Sequence, residues 1–227
     1  MACLELTGAM RTRCAAAVMA LLLVCGCASA ARQSDDETRK LALAQLHSRD
    51  ADVRLTACTE LAEVGKPEDL PFLQFHLFDE DDRVRSMAET AIWRIWSRSG
   101  DAATDRLFER GLEQMREGRL RVAVDTFDQV IAMRPDFTEA WNKRATIYFL
   151  LGEDELSLKD CDEVLKRNPL HFGVLAGYGQ IYLRKGDLQR ALDYFEQALA
   201  INPNMGGVQA SIDAIREIMI ERGRRFI

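Results

Sequence analysis

Residues 170–203 read LHFGVLAGYGQIYLRKGDLQRALDYFEQALAINP, and this 34-residue unit decides the fold. A glycine ends its first half and a proline closes it. Both residues recur at intervals of 34 along the chain, at Pro135, Pro169 and Pro203, and at Gly118, Gly152 and Gly186. A fixed interval of this length is typical of an array of stacked helical hairpins, in which each repeat packs only against its neighbours.

The residues within each period resemble the tetratricopeptide (TPR) repeat. In that family small residues stand where the two helices of a hairpin touch, aromatic residues fill the space beside them, and proline ends the unit. The third repeat matches with Gly179, Tyr182, Ala191, Phe195 and Pro203. The other two match at Gly111, Gly118, Ala123, Phe127 and Pro135, and at Trp141, Ala145, Tyr148, Gly152, Ser157 and Pro169.

The second repeat departs from the family pattern at two positions. Cys161 stands where an aromatic residue is expected, and Val164 stands where a small one is expected. One change loses volume and the other regains part of it one helical turn away. We therefore expect local repacking of this hairpin rather than loss of the repeat.

A second and shorter period precedes the TPR-like repeats. Val53-Arg54 recurs as Val84-Arg85, 31 residues later, with acidic residues just before each pair. This pattern resembles a short HEAT-like repeat, whose acidic turn caps the helix that follows. Four helices are predicted here, at 36–48, 52–64, 68–78 and 82–98, with Trp93 and Trp96 expected to pack against the TPR-like array.

The sequence as a whole predicts an all-α protein, an α-solenoid of helical hairpins. Beyond Pro203 the apolar residues Val208, Ile212, Ile215, Met219 and Ile220 fall on one helical face and predict a capping helix. The predicted units are a leader over 1–30, HEAT-like repeats over 34–98, three TPR repeats over 104–205 and the cap over 206–227.

The first 30 residues read as an export leader. Arg11 and Arg13 precede an apolar run too short to span a bilayer, and small residues follow. Two processing routes are open: cleavage after Ala30, or a lipid on Cys27, because Val24-Cys25-Gly26-Cys27 resembles a bacterial lipobox. A mitochondrial transit peptide is a further alternative, and Met10 competes with Met1 as the start. We expect export to the periplasm, with possible membrane attachment through Cys27.

Composition argues against two functional classes. The formal net charge is −6 and no basic stripe is present, which disfavours nucleic acid as a partner. The three histidines are scattered, and neither a phosphate loop nor a metal-spaced His or Cys pair occurs. The sequence therefore predicts no catalytic residue, no metal and no cofactor.

The TPR resemblance implies a concave groove that binds a protein segment. Transferring the groove positions of the family gives the candidate site Phe108, Leu112, Met115, Asn142, Thr146, Phe149, Gln180, Leu183 and Arg184. Lys143 alone is basic where a clamp for a C-terminal carboxylate would form, so that binding mode is disfavoured. The groove could instead be filled by the chain's own HEAT-like or C-terminal helices.

Three functional hypotheses follow. The first is a non-catalytic scaffold or adaptor of the bacterial cell envelope that holds a peptide or helical segment of a partner protein. The second is a HEAT-like lyase or chaperone that acts on a pigment protein. The third is an assembly factor that associates with copies of itself.

Overall fold

The computed structural model describes residues 33–224, with side chains as far as residue 221. This part of the chain is built from α-helices joined by short turns, so the predicted all-α solenoid is confirmed. The helices are α1 (33–45), α2 (Ala51–Val64), α3 (Leu70–His76, preceded by a 3-10 turn at Pro67–Asp69), α4 (Asp82–Trp96), α5 (Ala102–Arg116), α6 (Leu120–Met133), α7 (Thr138–Leu150), α8 (Asp154–Arg167), α9 (Phe172–Arg184), α10 (Leu188–Ile201) and α11 (Gly206–Arg224).

The HEAT-like segment consists of α1 to α4, close to the four predicted helices. Acidic caps start α2 and α4: Asp50 accepts a 2.9 Å hydrogen bond from the Asp52 amide, and Asp81 accepts one of 2.8 Å from the Arg83 amide. These carboxylates satisfy amides that would otherwise lack partners at the helix start. Buried Arg54 then binds the carboxylate of Asp79 with contacts of 2.8 and 2.6 Å, which ties the two repeats together.

Helices α5 to α10 form three antiparallel hairpins. The turn within each hairpin contains a glycine in the left-handed region, with φ of 73° at Gly118, 78° at Gly152 and 78° at Gly186. A side chain at these positions would strain the backbone, which is the physical reason for the glycine period.

Close contact between the two helices of a hairpin explains the other family residues. A Cβ at Gly111 would lie 2.7 Å from the Phe127 ring, and one at Gly179 would lie 2.4 Å from the Phe195 ring. Glycine and phenylalanine therefore fit as a pair in the first and third hairpins. The corresponding pair in the second hairpin is Ala145 and Cys161, both buried.

The HEAT-like segment packs directly against the TPR hairpins, as expected from its two tryptophans. Trp93 meets Phe172 edge to face, with ring centroids 5.4 Å apart. Trp96 stacks on His171 at 4.1 Å. Phe172 belongs to the same apolar core as α2 and α4, so the two arrays share one continuous interior.

The capping helix α11 follows the prediction in its first half only. Val208, Ile212 and Ile215 are buried against α9 and α10. Met219 and Ile220 were expected on the same buried face, but they are 37% and 55% exposed. Met219 lies beside the turn at residues 185–188, at the edge of the hairpin, and α11 has 19 residues against 14 in α10, so Ile220 and the turn after it extend past the hairpin.

Candidate protein-binding groove

The groove predicted from the sequence lies along the first helix of each hairpin, α5, α7 and α9. Its centre is a cavity of about 110 Å³ between α7 and α9. Four of the nine candidate residues line this cavity together: Asn142, Thr146, Phe149 and Gln180. Thr146 and Gln180 are exposed and Phe149 is half-buried, so all three are accessible to a ligand.

The prediction for Phe108 is wrong. This residue has no exposed surface, and its ring packs against Phe127 and Phe137 with centroid distances of 5.6 and 4.9 Å. Burying this apolar ring stabilises the fold, so the ring fills the interior of the first hairpin and does not line a groove. Leu112 and Met115 are half-buried against the same cluster.

Leu112 contributes to a different cavity from the one at the centre of the groove. It lies with Glu109 on one wall of a space of about 490 Å³, and the opposite wall is the HEAT-like segment, including Thr90, Trp93 and Arg94. The structure therefore does not bring all nine candidate residues into one surface. Asn142, Thr146, Phe149 and Gln180 line the central cavity and Leu112 lines the junction cavity, whereas Phe108, Met115 and Leu183 pack into apolar cores.

Arg184 packs over the ring of Phe149, one of the residues that line the central cavity. The guanidinium of Arg184 lies 3.8 Å from the centre of the Phe149 ring and donates a 2.8 Å hydrogen bond to the Phe149 carbonyl oxygen. The cation covers one face of the ring. Leu183, the neighbouring candidate, packs into the core formed with α11.

A buried polar network lies beneath the cavity. Glu139 has 1% of its surface exposed. Its carboxylate accepts a 2.9 Å hydrogen bond from the side-chain amide Nδ2 of Asn142 and one of 3.1 Å from His171 Nε2. His171 Nδ1 accepts from the Val174 amide at 3.2 Å, which places the ring proton on Nε2. Lys143 adds an ion pair of 2.7 Å to Glu139.

The charge of Glu139 is maintained by these partners. Burial acts to raise the pKa of Glu139, but the hydrogen bond from His171 and the charge of Lys143 outweigh it and hold the pKa below its ordinary value. The Asn142 amide is fixed by this carboxylate, so its orientation at the cavity wall is set before any ligand binds.

The HEAT-like segment occupies part of the groove. A Cβ at Gly173 would lie 2.5 Å from the Trp93 ring, and Lys143 Nζ lies 5.2 Å above that ring. The single lysine of the would-be carboxylate clamp is therefore engaged within the chain. Gly177, one turn further along α9, has no atom within 4 Å of where its Cβ would be, so the groove is open there.

Several residues of the site were not identified from the sequence. Glu139 and His171 lie in the network, and Trp93, which the sequence predicts only to pack against the array, closes one end of the groove. The position of His171 could have been noticed in the 34-residue repeat. His171 stands where Phe137 stands one repeat earlier, and a histidine in place of a buried phenylalanine indicates a buried polar contact. The contact of Trp93 with Gly173 has no such signal, since it joins repeats of different kinds.

The described residues also bear on metal binding and membrane insertion. Between residues 33 and 224 there is no group of three or more His, Cys, Asp or Glu side chains placed to hold a metal ion. No helix in that same range has both the length and the apolar character needed to cross a bilayer. The predicted leader and Cys27 lie outside the described residues.

Comparison with protein families agrees with both kinds of repeat. Tetratricopeptide repeat models match residues 108–164 and 173–205, and a HEAT repeats model matches residues 11–93. The HEAT match begins inside the stretch predicted to be a leader.

Solved structures show the same hairpin fold at low sequence identity. The Sgt2 TPR domain from Aspergillus fumigatus superposes with a TM-score of 0.51 and 17% identity, over 55% of this chain and 83% of that domain. The first TPR domain of human RPAP3 gives 0.50 and 19%, over 53% of this chain and 95% of that domain. Likeness at this level shows the fold alone.

Two relatives differ in how much of their length the chain covers. It spans 34% of an FK506-binding protein-like protein of Mus musculus, at 27% identity over 119 residues. A TPR repeat-containing protein of Rhizobium etli is 33% identical over 146 residues, which cover 64% of this chain and 71% of that protein. With the repeat models and the hairpin geometry, this relative shows that the chain belongs to the tetratricopeptide repeat family.

Proposed function

We propose that this protein is a non-catalytic adaptor that holds an extended or helical segment of a partner protein in its TPR groove. One observation carries the proposal: the groove is open at Gly177, where Thr146, Phe149 and Gln180 surround a cavity with a mostly apolar floor. Apolar surface flanked by a few polar groups is the composition expected of a peptide-binding site.

Carboxylates of the protein itself neutralise the cations near the groove, which argues against a ligand held by its anionic C-terminal tail. Lys143 is neutralised by Glu139, and Arg184 pairs with Asp154. No uncompensated cation on α7 or α9 therefore faces the central cavity among the described side chains. The proposed ligand is bound through apolar side chains and hydrogen bonds to its backbone.

A substitution at Gly177 tests the proposal without removing any contact of the fold. Gly177→Leu would place a side chain in the open part of the groove, and we expect it to abolish capture of the partner from an envelope extract. Gly207→Leu is the matched control, because a Cβ at Gly207 also meets no atom within 4 Å but lies at the start of α11, away from the groove. Equal capture by both variants would exclude the groove as the binding site.

The site of action that we propose is the bacterial cell envelope. Arg11, Arg13 and the apolar run before Cys25 support export, and Val24-Cys25-Gly26-Cys27 supports a lipid on Cys27, with cleavage after Ala30 as the alternative route. Mass spectrometry of the mature N-terminus distinguishes these routes: a diacylglyceryl Cys27 indicates an anchored protein, and a free Ala31 indicates a released one. An intact Met1 or Met10 in the cytoplasmic fraction would contradict export.

A further inference from the structure

The central cavity lies where the second repeat lacks two aromatic rings. In the first hairpin, Phe108 and Phe127 pack against each other with ring centroids 5.6 Å apart. Counting 34 residues onward, these positions are Asn142 and Cys161, and both line the cavity. The shorter side chains leave the space that the rings fill one repeat earlier.

The third hairpin does not have this opening. Phe195 stands at the position of Cys161 and packs against Gly179 without exposed surface. Ala176 stands at the position of Asn142 in that hairpin, so Cys161 is the residue that distinguishes the second hairpin from both neighbours, where a buried phenylalanine ring fills the position.

The size and lining of the cavity select the group that would enter it. Ala145, Val174 and Ile181 form apolar walls around a volume of about 110 Å³. An apolar cavity of about 150 Å³ accommodates a benzene ring, so a space of about 110 Å³ has the size to take one aliphatic side chain. Burying such a side chain stabilises a complex by removing apolar surface from water.

We infer that the second repeat contains a specificity pocket that takes one aliphatic side chain, Leu, Ile or Met, of the partner segment. The pocket is the opening left by Asn142 and Cys161. This inference rests on the proposed groove function and assigns the part of the ligand that the groove reads. An aliphatic side chain enters between α7 and α9, while the ligand backbone lies against Thr146 and Gln180.

The test closes the pocket with residues that the neighbouring hairpins already use. Ala145→Gly together with Cys161→Phe reproduces the Gly111–Phe127 and Gly179–Phe195 pairs, so the filled variant has a precedent for its packing on both sides. Cys161→Ala is the control, because it keeps the pocket open and removes the thiol. Thermal unfolding followed by circular dichroism establishes that both variants fold.

A displayed library of random linear peptides serves as the probe for the full-length protein. We expect selection on the wild type and on Cys161→Ala to enrich Leu, Ile or Met at one position. The enriched peptides should bind the filled variant at least about tenfold more weakly, the effect of losing one buried aliphatic side chain.

Each other outcome overturns the inference in an identifiable way. Peptides that are blocked by Gly177→Leu but bind the filled variant within about twofold of wild type would leave the groove function standing and remove the pocket. Failure to enrich any peptide sensitive to Gly177→Leu would remove both. Concentration-dependent self-association lost only in the filled variant would assign the pocket to a second copy of this chain.

Discussion

Arg85 Nε donates a 2.9 Å hydrogen bond to Asn204 Oδ1 and joins positions 119 residues apart in the sequence. The same Asn204 donates a 2.8 Å hydrogen bond to the carbonyl oxygen of Leu77. Arg54, the equivalent of Arg85 in the preceding HEAT-like repeat, instead pairs with Asp79. The turn that ends the third TPR hairpin thus supplies the partner that a following HEAT repeat would have supplied.

Removing the Asn204 hydrogen bonds is expected to weaken the packing of the HEAT-like segment against the TPR hairpins. Asn204→Ala should lower the free energy of unfolding by about 1 to 2 kcal/mol, because the Arg85 guanidinium and the Leu77 carbonyl each lose a hydrogen bond. Urea unfolding measures the effect. Leu170→Ala is the control, since Leu170 occupies the same position one repeat earlier and is 49% exposed. Equal losses for the two variants would argue against a specific role for Asn204.

The buried Glu139 predicts a dependence of stability on pH. Its folded-state pKa is lowered, with burial opposed by the His171 hydrogen bond and the Lys143 charge. A lowered pKa contributes stability that is present above the unfolded-state pKa of about 4.3 and is lost as the pH falls through the folded-state pKa. Stability should therefore decrease below about pH 4.5 more steeply in the wild type than in Glu139→Gln.

The measurement is a series of urea unfolding curves between neutral and acidic pH. Glu217→Gln, on the exposed side of α11, should keep the wild-type slope. At neutral pH we expect Glu139→Gln to be less stable than the wild type by roughly 1 to 3 kcal/mol, because Lys143 loses its charged partner. Parallel pH profiles for the wild type and Glu139→Gln would contradict the assignment.

Two glycines in α9 should respond in opposite directions to the same change. Gly177→Ala is expected to stabilise the protein by about 0.5 to 1 kcal/mol, because its Cβ meets no neighbour and alanine favours the helix. Gly179→Ala should destabilise it by about 1 to 3 kcal/mol, because the added Cβ would lie 2.4 Å from the Phe195 ring. Thermal unfolding of the two single variants provides the comparison, and a shift of the same sign in both would be inconsistent with this packing.

The two cysteines of the repeats should be unreactive in the native state. Burial raises the pKa of the Cys58 and Cys161 thiols to about 12. The thiolate is the reactive form, so alkylation by iodoacetamide at pH 8 should be slower than for an exposed thiol by at least about 100-fold. Peptide mapping by mass spectrometry follows each site, with urea-unfolded protein as the reactive reference. Rapid native-state labelling of Cys161 would contradict the burial of its thiol.

Much of the fold could be predicted because each repeat carries its turn and helix-cap residues at a fixed interval. Gly118, Gly152 and Gly186 mark turns with positive φ, and Asp50 and Asp81 mark helix starts, so each hairpin could be located from its own residues. The candidate groove was predicted less well. Phe108 holds a groove position in the repeat register, yet whether a residue lines a groove or the core depends on which neighbours cover it.

The sequence by itself determined that the chain is a helical solenoid with two kinds of repeat, because glycine, proline and capping residues act on the backbone within a few positions of themselves. Only the tertiary structure decided how the groove is shaped. Trp93 meets Gly173, Trp96 stacks on His171, and Asn142 and Cys161 leave a cavity between α7 and α9. These features depend on contacts between distant segments, and the burial and volume of a side chain are set by the neighbours that folding brings to it.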